Sequence, residues 1–116
     1  MVEDSDASRD ALAHFLELKG FEVCSAQDGL EGLQVAAKFR PEVVFLDLFM
    51  PRMDGFELCT RLRAMEQTAN AAVFAVTGQI AAGFRHCRKR RCAFDAYLAK
   101  PVDLVVVEVL VNAVVH

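Results

Sequence analysis

The chain is expected to fold as an α/β domain with a doubly wound parallel sheet, and three observations carry that expectation. Val43-Val44-Phe45-Leu46 is an unbroken apolar run ending on Asp47, the pattern of a strand buried on both faces. Strand-like and helix-like segments alternate along the whole length, which implies parallel strands joined by helical crossovers. At 116 residues, 54% of them hydrophobic, the chain fits one domain (1–116) with a packed core.

Residues 6–19 set Ala7, Leu12, Phe15, Leu16 and Leu18 at helical spacing, and Gly20 supplies a stop. Phe21–Ser25 alternates and predicts a short strand. Asp28 can cap a helix through Phe39 that buries Leu30, Leu33, Val35 and Ala36, and Pro41 prevents its continuation. After strand 43–47, Asp54 caps a helix with Phe56, Leu58, Cys59, Leu62 and Met65 on its apolar side. Ala72–Thr77 reads as another buried strand, residues 80–92 as a helix, and Asp95–Lys100 as a short strand. Pro101 and Asp103 open a last helix. Only Met1-Val2 precede the acidic pair Glu3-Asp4, where this architecture wants a strand of about five residues. A clipped start or a strand lent by another chain would each account for the truncated first strand.

No apolar run is long enough to span a membrane, and the acidic N-terminus does not resemble an export signal. Cys24, Cys59, Cys87 and Cys92 lack framework spacing, so reduced thiols in a cytoplasmic protein are expected. The net charge of −3 gives no global pull toward nucleic acid.

Glu3-Asp4, Asp47, Thr77 and Lys100 each fall at the carboxyl end of an expected strand, the edge where ligands of open α/β sheets collect. A carboxylate at the position of Asp47 is a metal ligand, a nucleophile, or both; a cap or turn role is the plainer alternative. Three crowded carboxylates need neutralising, and a hard cation with oxygen ligands such as Mg²⁺ suits them. Lys100 could pair with Asp47 or with a transferred anion, and Thr77 offers a hydroxyl. Together they could stabilise a phosphoryl group passing to Asp47, giving an acyl phosphate.

These residues resemble the receiver domain of two-component response regulators, which has a flavodoxin-like fold with five strands in the order 2-1-3-4-5. The matching pieces are Glu3-Asp4 with Arg9, the run from Asp47 through Pro51 to Gly55, Val76-Thr77-Gly78, and Phe94 through Lys100-Pro101-Val102. Thirty residues separate Asp47 from Thr77, and twenty-three separate Thr77 from Lys100. The resemblance implies phosphoryl transfer to Asp47 from a histidine kinase or phosphotransfer protein in a phosphorelay. It implies Mg²⁺ held by Asp4, Asp47 and the carbonyl of Phe49, with Glu3 acting through water. Thr77 and Tyr97 would form the switch pair, with Tyr97 rotating inward as Thr77 moves. It implies self-assisted phosphorylation rather than turnover of a separate substrate, so not an enzyme in the strict sense. The wording around Glu3-Asp4-Ser5-Asp6 is similar to receivers of hybrid histidine kinases.

Several features depart from the family pattern. The basic segment Gly83–Cys92 is unusual for the fourth helix of a receiver, and Gly83 weakens a helix by about 1 kcal/mol relative to Ala. Ala93 stands where the family commonly has Gly. A receiver fold working as a phosphorylation-independent interaction or dimerisation module is therefore the alternative reading. A phosphohydrolase is disfavoured because Phe49 stands where such enzymes carry a second Asp. The basic cluster of Arg85, Arg88, Lys89, Arg90 and Arg91 is a solvated face or a surface for an acidic partner; nucleic acid is not expected to bind this domain alone. His86, Cys87 and Cys92 have no second ligand pair at zinc spacing. In the last helix, Glu108, Asn112 and His116 form a narrow polar stripe among valines. That apolar face is wider than one sheet needs. Either the helix is deeply buried or it exposes a patch, and receivers commonly form homodimers through their fourth and fifth helices.

Overall fold

Alternation of side chains along three parallel strands sorts the core into two layers. The computed structural model describes residues 2, 6–48, 54–77, 94–99 and 102–115. Along the chain follow helix α1 (Asp6–Leu18), helix α2 (Gly29–Phe39), strand β1 (Val43–Asp47), helix α3 (Gly55–Ala64), strand β2 (Ala72–Thr77), strand β3 (Ala96–Ala99) and helix α4 (Leu104–Val115). The expected helix over 80–92 lies outside the described residues.

Strands β1, β2 and β3 pair in that order, with Leu46 beside Ala75 and Ala75 beside Tyr97. Val44, Leu46, Val73 and Ala75 meet Ala36 of α2 and Leu58, Cys59 and Leu62 of α3 on one face. Phe45, Phe74, Val76 and Leu98 meet Leu12 and Leu16 of α1 and Val107 and Val111 of α4 on the other. Both faces of the sheet are thus covered, which is why its strands read as continuous apolar runs rather than alternating ones.

The first strand is represented by Val2 among the described residues. Its N–H donates to the Phe45 carbonyl at 2.8 Å, and its carbonyl accepts from the Asp47 N–H at 3.0 Å. Parallel bridges join Val2 to Ala26 on one side and to Leu46 on the other. Phe21–Ser25 is not a strand, contrary to its alternating pattern; only Ala26 pairs, through that single bridge. Between this segment and the start of β1 lies a cavity of about 290 Å³, lined by Phe21, Val23, Val43 and Val44 among others.

Local signals explain the helix ends. Gly20 has φ 93°, and the Phe21 N–H reaches back to the Leu16 carbonyl at 3.1 Å, closing α1 through the left-handed region. The Asp28 and Asp54 carboxylates each accept from a backbone N–H three residues on, at 2.9 Å, so both are helix caps as expected.

Leu30, expected to be buried, is exposed, as is Leu18 at the end of α1. Leu30 is 52% and Leu18 72% accessible. The buried line of α2 runs through Gly29, Gly32 and Ala36 instead. A Cβ on Gly32 would lie 2.8 Å from a Val2 methyl, so α2 presses onto Val2 by its smallest residues and leaves Leu30 off the contact line. Leu18 lies off the Leu12–Leu16 stripe, in the last turn of α1.

Candidate functional site

Asp47 is the last residue of β1 and only 5% exposed, a carboxylate buried at the strand's carboxyl end. Its backbone neighbour across the sheet is Val76, and the next residue of β2 is Thr77, 1% exposed. Thr77 in turn pairs with Ala99 at the end of β3. Two buried polar side chains therefore terminate adjacent parallel strands at the same edge, the end of an open α/β sheet where ligands bind.

The floor of this edge is tightly built. The Leu48 N–H donates to the Val76 carbonyl at 3.2 Å, and the Gly55 N–H donates to the Leu48 carbonyl at 2.8 Å. A Cβ on Gly55 would stand 2.6 Å from the Asp47 carbonyl oxygen and 2.7 Å from both the Leu48 Cα and a Leu46 methyl. Only glycine lets α3 start this close to the end of β1. Asp54 does the capping of α3, so that task does not fall to Asp47.

Tyr97 sits on β3 on the same face as Ala75, packed against the core formed with α2 and α3. Its ring meets Phe94 edge-on, with centroids 5.5 Å apart at 65°. Of the expected site residues, the structure brings Asp47 and Thr77 to one edge and sets Tyr97 on the strand beside it. Glu3, Asp4, Phe49 and Lys100 lie outside the described residues, as does the basic segment 83–92. Among the described residues there is no group of three His, Cys, Asp or Glu side chains placed to hold a metal ion.

Sequence reasoning missed one polar junction. The Arg63 guanidinium donates to the carbonyls of Ala69 and Ala71 and to the Asp95 carboxylate, the last at 3.0 Å. The same carboxylate accepts from the Val73 N–H at 2.7 Å. Arg63 and Asp95 are distant in sequence, and no local pattern announces the pair.

Fold and site edge together define a parallel α/β domain with a buried acidic strand end. The model of the response regulator receiver domain matches residues 1–112, and the chain belongs to that family, the receiver domains of two-component response regulators. It is 36% identical over 110 residues to the DNA-binding dual master transcriptional regulator RpaA of Synechocystis sp., covering 90% of this chain and 43% of that protein. The chain thus spans about half or less of the length of the curated relatives it matches. Its fold is similar to chemotaxis protein CheY4 of Vibrio cholerae, with a TM-score of 0.88 and 29% identity, covering 97% of this chain and 93% of that one. It is also similar to the receiver domain of sensor histidine kinase PA1611 of Pseudomonas aeruginosa, with a TM-score of 0.86 and 24% identity over 97% of this chain and 92% of that one. That protein has a magnesium ion coordinated in its active-site cleft.

Proposed function

We propose that Asp47 is the phosphoacceptor of this receiver and that its phosphorylation changes the partner-binding surface. In the transfer, the P–N bond of a donor phosphohistidine breaks, a P–O bond to an Asp47 carboxylate oxygen forms, and the imidazole leaves. The donor is a histidine kinase or phosphotransfer protein. The observation that carries the reading is that two buried polar residues, Asp47 and Thr77, end adjacent parallel strands at one edge of the sheet.

The Asp47 carboxylate fits a hard divalent cation by donor type. Asp4, Asp47 and the Phe49 carbonyl would hold Mg²⁺, with Glu3 reaching it through water. When bound, the cation supplies charge neutralisation. Thr77 donates a hydrogen bond to a phosphoryl oxygen, and Lys100 holds a positive charge beside it. Tyr97 follows the movement of Thr77. The domain assists its own phosphorylation and turns over no separate substrate. The five-strand order 2-1-3-4-5 draws support from the position of Val2 between Ala26 and Leu46. No helix among the described residues is long and apolar enough to cross a membrane, in keeping with a cytoplasmic setting.

The test is to incubate the chain with Mg²⁺ and beryllofluoride or acetyl phosphate. An adduct at Asp47 by fluorine NMR or mass, lost in Asp47→Asn, is expected. Absence of any adduct in the parent chain would refute the phosphoacceptor reading. One observation favours the second reading, a phosphorylation-independent dimerisation module. Helix α4 leaves Leu104, Val105, Val106, Val109 and Val114 exposed, a patch suited to a homodimer through the fourth and fifth helices of the receiver.

A further inference from the structure

A row of three aromatic rings runs from the floor of the site to the switch tyrosine. Phe56 follows Gly55 directly, in the first turn of α3 that presses against the backbone of Asp47 and Leu48. It is buried, and its ring meets Phe94 edge-on with centroids 5.7 Å apart at 74°. Phe94 meets Tyr97 in the same manner, at 5.5 Å and 65°. The cross-strand neighbour of Tyr97 on this face is Ala75, too small to fix the tyrosine ring itself. Phe94 is thus an aromatic neighbour placed to bias the orientation of the Tyr97 ring.

The backbone under Phe94 is anchored. The Asp95 N–H donates to the Val73 carbonyl at 2.8 Å, while its carboxylate accepts from the Val73 N–H and pairs with Arg63. With β3 pinned there, a shift of Phe56 moves the Phe94 ring rather than the strand. Edge-to-face ring pairs are directional, because the positive rim of one ring seeks the negative face of the next.

We infer that Phe94 is a positioning residue for Tyr97, coupling the tyrosine ring through Phe56 to the backbone that carries Asp47. The inference deepens the phosphoacceptor reading and rests on it for the ligand that drives the switch. It does not rest on Phe94 touching that ligand.

Tyr97 is the sole tyrosine and the chain has no tryptophan, so intrinsic fluorescence reports this ring alone. The experiment compares the full chain with Phe94→Leu and Phe56→Leu. It measures Tyr97 fluorescence with and without saturating Mg²⁺ and beryllofluoride, and acrylamide quenching in the ligand-free state. Fluorine NMR establishes equal occupancy of Asp47, which separates coupling from binding. Phe94→Leu is expected to cut the fluorescence response at least about twofold and to raise quenching, since leucine fills space without a quadrupole. Phe56→Leu moves the response in the same direction. Parent-like response and quenching in Phe94→Leu would overturn the inference. If the parent chain forms no adduct, the phosphoacceptor reading fails while quenching still decides whether Phe94 orients Tyr97. Should Phe94→Leu lose its folded circular dichroism, Phe56→Leu decides the coupling from the other end of the row.

Discussion

Gly55→Ala isolates the contact on which the geometry of the site rests. Alanine usually stabilises a helix by about 1 kcal/mol over glycine, so propensity alone predicts a gain. The structure predicts a loss. The added methyl would lie 2.6 Å from the Asp47 carbonyl oxygen and 2.7 Å from the Leu48 Cα, both backbone atoms that cannot rotate aside. Carbon contacts are comfortable at about 3.5–4.0 Å, so α3 must retreat by about 1 Å from the end of β1. Overpacking of this kind costs about 1–3 kcal/mol. The retreat also stretches the 2.8 Å hydrogen bond from the Gly55 N–H to the Leu48 carbonyl. That adds about 0.5–1.5 kcal/mol. After the propensity gain, a net loss of about 0.5–3.5 kcal/mol remains. For a chain of this length that lowers Tm by about 2–14 °C.

Calorimetry or thermal circular dichroism reads the result, and Gly20→Ala is the informative control. At Gly20 nothing lies within 4 Å of a built Cβ, but φ is +93°. Its loss, about 1 kcal/mol or more, comes from conformation rather than crowding. Gly55→Val should therefore be much worse than Gly55→Ala, whereas at Gly20 the surroundings offer no such steep dependence on side-chain volume. A Tm for Gly55→Ala equal to or above the parent would show that α3 relaxes freely and would refute the steric argument.

Arg63→Ala removes the donor shared by Ala69, Ala71 and Asp95; a loss of about 1–3 kcal/mol by urea unfolding is expected, and no loss would show the junction to be ornamental. Val105→Glu with Val109→Glu targets two residues 69% and 62% exposed, so stability should change by less than about 0.5 kcal/mol each while self-association by sedimentation falls. A parent chain that stays monomeric at the same concentration would remove self-association as the use of that patch.

The strands nearest the site were legible because burial on both faces leaves an unmistakable apolar run: Val43–Asp47 and Ala72–Thr77 are strands with those bounds. Both capping aspartates were legible because their chemistry is local. Phe21–Ser25 misled because alternation states what a strand would bury, while in this stretch only the adjoining Ala26 makes a bridge, to Val2. Leu30 misled because hydrophobic spacing cannot foresee that α2 approaches Val2 through Gly32. The exposed valines of α4 were foreseen only as one of two outcomes. The structure decides for the patch, since Val107 and Val111 face the core while Val105 and Val109 do not. The Arg63–Asp95 junction and the aromatic row depend on the tertiary path and leave no periodic trace.

Asp47 and Thr77 violate the pattern that makes their strands readable. Each ends an apolar run at a position 5% or less exposed, where another valine would satisfy both layers of the core without a polar atom to partner. Burying a carboxylate carries a desolvation cost of several kcal/mol even when it is partly compensated. Local rules that fail at buried positions while holding along the rest of the strand point to selection for chemistry rather than packing. Coincidence at one sheet edge strengthens the inference, because independent filler residues would have no reason to end adjacent strands together. Gly55 belongs to the same logic: a helix former would suit the first turn of α3, yet the residue present is the one that lets the helix close on the backbone of Asp47.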